Sequence, residues 1–193
     1  DEINGDLLSY KLFETDISHL GSSVFHDQDS WIEQTIKYFE SMKDDSPLIV
    51  RFHPRLAADK RGLPESPNFS ETWKKLIELT KHLPYIKLIH PSSRISSYWL
   101  GIESDLILNA WSTIGLELAI KGKIVTDAFY GVTYGGTVYP VHLKTHRLKT
   151  TQSYFERISR LHNCIRNNIS PDSKDIVSAD EARKAFFVVF SCG

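Results

Sequence analysis

A short polar segment at Ser112, Thr113 and Glu117 interrupts an otherwise apolar stretch of the sequence. It lies where a predicted strand over 105–109 gives way to a predicted helix over 113–121. Hydroxyl groups and backbone amides at a helix N-terminus can bind a phosphate against the positive end of the helix dipole. Glu117 follows one turn later, roughly 5–6 Å from Thr113, where a carboxylate can reach a ribose diol. The pattern predicts a nucleotide site.

A purely structural interpretation of the same three residues stays open at this point. Ser112 has the side chain of a good N-cap residue and can serve the helix alone. Glu117 can pair with Lys121 at i,i+4, a contact that stabilises a helix by about 0.3–0.5 kcal/mol. On that interpretation the segment has no ligand.

Two His-Pro pairs, at 53–54 and 90–91, each follow a predicted strand. A histidine there can donate a hydrogen bond to a phosphate oxygen, and the proline fixes the backbone turn that aims it. A histidine that only closes a strand, or serines that only cap the next helix, would explain the same pattern. The candidate catalytic residue is His53, and the candidate substrate-binding residues beside the two pairs are Arg51, Pro54, His90, Ser92 and Ser93.

Helices and strands alternate along most of the chain. Helical periodicity predicts helices over 29–43, 70–81, 94–101, 113–121, 151–167 and 178–189, and short apolar runs predict strands over 48–52, 85–89, 105–109 and 124–126. This alternation predicts a Rossmann-like α/β domain over 29–193, a parallel sheet flanked by helices, preceded by a weakly patterned segment over 1–28. Because ligands bind beyond the carboxyl ends of parallel strands, we expect the polar residues to meet at one edge.

The composition excludes several classes of protein. The 193 residues are 41% hydrophobic, enough for a core, and the net charge of −1 gives no general attraction to nucleic acid. Cys164 and Cys192 lack the spacing of a zinc site or a disulfide framework, which favours a reducing compartment such as the cytoplasm. No apolar run approaches the roughly 18 residues of a membrane span. P-loop, dinucleotide-binding and zinc-protease motifs are absent from the sequence.

Three segments together resemble one group of enzymes. They are LIVRFHP at 48–54, IHPSS at 89–93 and SDLILNAWSTIGLELAIKGKIV at 104–125. The combination resembles the C-terminal half of bacterial capsular polysaccharide biosynthesis proteins, glycosyltransferases of the GT-B fold that include Kdo transferases and sialyltransferases. The resemblance covers roughly residues 29–140. It implies a domain that binds the nucleotide of an activated sugar.

The resemblance also implies roles for individual residues. His53 with Pro54, and Ser112 with Thr113, would contact the donor phosphate, and Glu117 would hold the ribose. A CMP-sugar is expected ahead of a UDP-sugar, with no metal or other cofactor. The acceptor, a saccharide or glycolipid, would bind an N-terminal domain that this chain lacks, so the chain alone is expected to be inactive. The full-length enzyme would work in the cytoplasm, with peripheral association at the inner face of the membrane.

Two other functions stay open from the sequence. A nucleotide-sugar epimerase uses the same scaffold and a similar phosphate and ribose site, and differs by catalytic carboxylates in its other domain. A Rossmann-like binding or scaffolding module would keep the fold without catalysing any transfer. Nucleotide binding by the chain distinguishes the scaffold from the two enzymes.

Overall fold

The structure, a computed structural model, describes residues 24–42, 46–57, 64, 67–109, 112–128, 150–180 and 182–183. The chain divides into two compact units. One unit is Asp29–Ser97, and the other combines Asp1–Gln28 with Tyr98–Gly193. Each unit contains a pair of parallel strands with helices between them in sequence. The mixed α/β architecture with parallel strands confirms the predicted Rossmann-like class.

The elements alternate in the predicted order. They are α1 (Gln28–Ser41), β1 (Leu48–Arg51), α2 (Pro67–Thr80), β2 (Ile86–Ile89), α3 (Ser97–Glu103), β3 (Leu106–Asn109), α4 (Thr113–Ile120), β4 (Ile124–Asp127) and α5 (Thr151–Arg166). Of the helix predicted over 178–189, residues 179–180 and 182–183 are helical, and the remainder lies outside the described residues. Three glycines, Gly131, Gly135 and Gly136, predict a loop over 131–136, and these residues also lie outside the described ones.

In the unit Asp29–Ser97, β1 pairs with β2 in parallel, in register from Leu48 with Ile86 to Arg51 with Ile89. Helix α1 buries Trp31, Ile32, Thr35, Ile36 and Phe39, the apolar spacing that predicted it. Polar contacts join α1 to α2 and to the turn just after it, and their positions rise together along the two segments: Asp29 with Thr72, Glu33 with Lys75, and Glu40 with His82. The two helices therefore run in the same direction.

In the other unit, β3 pairs with β4 in parallel, in register from Leu106 with Ile124 to Asn109 with Asp127. Helix α4 connects the two strands. Its buried side chains pack with β4 and with the segment after α5 in one hydrophobic cluster of Leu116, Leu118, Ala119, Val125, Val177 and Ala182. This packing fixes α4 against the strand pair, and with it the residues at the start of the helix.

Gly122 ends α4 in a left-handed conformation, with φ of +81°. The amide of Gly122 donates to the carbonyl of Ala119 at 2.9 Å, and the amide of Lys123 donates to that of Leu118 at 3.0 Å. These are the two hydrogen bonds of a Schellman motif, the helix ending that a glycine next to the end of the predicted helix 113–121 indicates from sequence.

We expect Gly122→Ala to lower the free energy of unfolding by about 1 kcal/mol, because a Cβ makes the left-handed conformation unfavourable. A Cβ at this position would meet no atom within 4 Å, so backbone strain is the sole cost. Gly122→Asn is the matched control, since asparagine tolerates this conformation. Urea denaturation of the wild type and the two variants measures the three free energies of unfolding. Equal stability of Gly122→Ala and the wild type would contradict the prediction.

Candidate functional site

The first turn of α4, with the N-cap residue before it, carries two hydroxyl groups. Ser112 is the N-cap residue in an extended conformation, and its side chain makes no capping hydrogen bond. Its carbonyl instead accepts from the amide of Gly115 at 3.1 Å and from Asn109 Nδ2 at 3.1 Å. The first amides of a helix have no intrahelical acceptors. Ser112 is therefore the N-cap residue by position, as the structural interpretation expects, but its hydroxyl makes no capping hydrogen bond.

Asn109 and Gly115 fit together beneath this turn. Asn109 is buried at the end of β3, and its carboxamide lies against the first turn of α4. A Cβ at position 115 would lie 2.5 Å from Asn109 Nδ2 and 2.6 Å from its Cγ. Glycine is thus the residue that allows this close approach. Neither residue could be predicted as part of the site, because a strand-ending asparagine and a helical glycine are individually common.

Glu117 has a partner that its sequence neighbours do not suggest. Tyr98 Oη, in the first turn of α3, donates a hydrogen bond of 2.6 Å to Glu117 Oε2. No ion pair joins Glu117 to Lys121 in the part of the chain that the structure describes. The hydrogen bond to Glu117, with smaller contributions from burial and from the charge of Glu117, raises the pKa of Tyr98 above its ordinary value. The phenol therefore stays a donor through neutral pH.

In the unit Asp29–Ser97, the Arg51 guanidinium holds the turn that follows β2. Its Nη1 donates to the carbonyls of His90 at 2.7 Å and Phe52 at 3.0 Å, and its Nη2 donates to that of Ser93 at 3.2 Å. Burial lowers the pKa of Arg51 from its ordinary value. These contacts give Arg51 a role in positioning the His90–Ser93 turn. A direct contact with substrate stays a prediction.

The His90–Ser93 turn is tight and orients the histidine ring. The amide of Ser93 donates to the carbonyl of His90 at 2.9 Å, with Pro91 buried at the second position of the turn. His90 Nδ1 lies 2.7 Å from Ser92 Oγ, and the ring stands nearly perpendicular to that of Trp73, with the centroids 4.9 Å apart. The geometry presents a fixed imidazole near the surface.

The serines of this turn do not cap the next helix. Ser93 Oγ accepts from the amide of Ile95 at 3.3 Å, and α3 begins later, at Ser97. The interpretation of Ser92 and Ser93 as caps is therefore wrong. Both are instead part of the turn that ends β2.

His53 is exposed at the end of β1. Its carbonyl accepts from the amide of Leu56 at 3.0 Å, which closes a single 3-10 turn over Pro54–Leu56. Pro54 stands at the first position of that turn, where its fixed φ is compatible with helical geometry. Pro54 thus begins the turn that directly follows His53. The orientation of His53 toward a phosphate and its catalytic role stay predictions.

The predicted site residues fall into two groups. One group, in Asp29–Ser97, contains Arg51, His53, Pro54, His90, Ser92 and Ser93; the other, in the second unit, contains Ser112, Thr113 and Glu117. Within the first group, hydrogen bonds join Arg51 to the His90–Ser93 turn. Within the second, Ser112 is the N-cap residue of α4, and Thr113 and Glu117 lie on the first two turns of that helix. The meeting of both groups at one edge stays a prediction.

Comparison of the chain with models of protein families, with curated proteins and with solved structures gave no match. Among the described residues, no helix has the length and apolar character needed to cross a bilayer.

Proposed function

We propose that the chain is the donor-binding domain of a nucleotide-sugar-dependent glycosyltransferase of surface polysaccharide assembly. The observation that carries the proposal is the Ser112 hydroxyl, which stands at the N-terminus of α4 and is not used by the helix. Thr113 follows it, and neither side chain makes a hydrogen bond within the described residues. Two hydroxyls beside the first amides of a helix are suited to a phosphate.

The proposed donor lies along the start of α4. Its phosphate binds the hydroxyls of Ser112 and Thr113, and its ribose reaches Glu117 one turn further along. As the sugar departs, negative charge develops on the nucleotide phosphate, and the fixed helix amides stabilise that charge electrostatically. The proposed role of His53, as a hydrogen-bond donor to a phosphate, rests on the sequence resemblance alone. Transfer by this route requires no metal.

The sequence resemblance extends the proposal beyond the site. By that resemblance the donor is a CMP-sugar ahead of a UDP-sugar, and a separate N-terminal domain binds the saccharide or glycolipid acceptor. The complete enzyme would act in the cytoplasm, at the inner face of the membrane where such acceptors are assembled.

Isothermal titration calorimetry of the chain with CMP tests donor binding. We expect the double variant Ser112→Ala/Thr113→Val to bind CMP at least about tenfold more weakly than the wild type, because each hydroxyl donates to a charged phosphate. Ser173→Ala is the matched control, since it removes an exposed hydroxyl from the turn after α5.

Parallel titrations with CDP and UDP identify the base. Tighter binding of cytidine than of uridine nucleotides supports a CMP-sugar donor. Absence of binding by CMP, CDP and UDP to the wild type would favour the scaffolding module. Unchanged binding by the double variant would place the nucleotide elsewhere on the chain.

A further inference from the structure

The hydrogen bond from Tyr98 to Glu117 joins two helices close to the proposed nucleotide. It spans 19 positions of sequence and measures 2.6 Å. The Tyr98 side chain is 45% exposed, and Glu117 is half-buried. The bond therefore lies where a ligand that follows the Thr113 face of α4 would arrive.

The hydroxyl of Tyr98 is not needed to bring the two helices together. Gly101 of α3 packs directly on Leu118 of α4, so closely that a Cβ at position 101 would clash with Leu118 Cδ1. Leu118 is buried in the hydrophobic cluster of this unit. Apolar packing thus fixes the approach of α3 to α4, and the effect of the hydroxyl is confined to the Glu117 carboxylate.

The chemistry of Tyr98, the hydrogen-bond partner of Glu117, determines what else Glu117 can bind. A lysine partner would neutralise the carboxylate, whereas the phenol of Tyr98 is a neutral donor that leaves its full negative charge. Only Oε2 receives this bond, and Oε1 makes no hydrogen bond within the described residues. An ionised carboxylate accepts at both oxygens, so it can still receive two hydroxyl donors. Fixing its orientation in advance avoids the entropy cost of ordering a flexible side chain on binding.

We propose that Tyr98 is a positioning residue that holds the Glu117 carboxylate ready to accept hydrogen bonds from the ribose 2′- and 3′-hydroxyls of the donor. This inference rests on the proposed nucleotide site and specifies which nucleotides that site prefers. The site favours ribonucleotides over 2′-deoxyribonucleotides. A phosphate group at the 2′ or 3′ position would face the charged carboxylate and be repelled.

The test compares the affinities of CMP and 2′-deoxy-CMP for the chain by calorimetry. We expect the wild type to bind CMP about tenfold more tightly, since the deoxynucleotide leaves one acceptor site of a charged group unused. Tyr98→Phe should reduce that ratio several-fold, because it weakens CMP binding through two hydroxyl contacts and 2′-deoxy-CMP binding through the 3′-hydroxyl alone. Glu117→Gln should bring the ratio close to one. Tyr85→Phe is the matched control, because the Tyr85 hydroxyl makes no hydrogen bond among the described residues.

The ratio of the two affinities distinguishes a positioning role of Tyr98 from a general loss of structure, because a loss of structure would weaken the binding of both nucleotides equally. A wild-type ratio near one would overturn the inference and leave the proposed phosphate site standing. If Tyr98→Phe kept the same affinity ratio as the wild type, the positioning role of Tyr98 would be overturned, and the role of Glu117 would stand. Absence of binding by either nucleotide to the wild type would remove the proposed function and the inference with it.

Discussion

Arg160→Met is expected to lower the free energy of unfolding by about 2–3 kcal/mol, because it leaves a buried carboxylate without its counter-charge. Arg160 Nε donates to Asp175 Oδ2 at 2.8 Å, and its Nη2 donates to Asp175 Oδ1 at 2.6 Å. The Asp175 side chain is 6% exposed, whereas that of Arg160 is 49% exposed. The expected cost is therefore smaller than that of a fully buried pair.

The pair anchors the segment that follows α5. The amide of Val177, two residues after Asp175, donates to the carbonyl of Val125 in β4 at 2.9 Å. Val177 is buried in the hydrophobic cluster of this unit. Loss of the anchor thus weakens packing against β4 as well as the ion pair itself.

Arg183→Met is the matched control for this prediction. Arg183 pairs with Asp180 at 2.7 Å, but both side chains are mostly exposed. Such a pair contributes about 0–1 kcal/mol. The double variant Arg160→Met/Asp175→Leu should recover part of the lost stability, because apolar side chains replace a buried charge. Equal urea midpoints for Arg160→Met and Arg183→Met would contradict the prediction.

Gly115→Ala is expected to destabilise the chain by about 2 kcal/mol, since the new methyl group must enter an occupied space. Helix propensity alone predicts the opposite sign, because alanine favours a helix over glycine by about 1 kcal/mol. The steric clash outweighs helix propensity at this position. The new methyl group would clash with Asn109 Nδ2 and Cγ, and the Asn109 side chain is buried and hydrogen-bonded to the Ser112 carbonyl.

A double-mutant cycle with Asn109→Ala isolates the clash. Asn109→Ala alone should cost about 1–2 kcal/mol for the lost hydrogen bond and contacts. In the Asn109→Ala background, Gly115→Ala should be neutral or stabilising, because the obstructing carboxamide is gone. The four unfolding free energies measure the coupling. An increase in stability for the single variant Gly115→Ala would contradict the close packing of this turn.

Local patterns in the sequence were sufficient to predict the individual helices and strands. The periodic apolar residues of α1, the apolar run of β1 and the glycine after α4 all depend on neighbours within one or two turns, so each could be predicted without knowing the tertiary structure. The helix boundaries differ from the predicted ones by at most three residues, as at α2, which begins at Pro67. The alternation of these elements was likewise enough for the α/β class.

The partners of the site residues could not be predicted in this way. Sequence spacing predicted that Glu117 pairs with Lys121 and that the Ser112 side chain caps the helix. In the structure, Glu117 instead accepts a hydrogen bond from Tyr98, and the Ser112 hydroxyl makes no capping hydrogen bond. Arg51 reaches carbonyls 39 and 42 positions away.

The sequence by itself determined where helices and strands form and which polar residues follow the strands. The tertiary structure decided which of those polar groups form hydrogen bonds with each other. The physical reason is the range of the interactions: periodicity and capping act within a few residues, whereas a hydrogen bond between elements depends on how closely packed helices such as α3 and α4 approach.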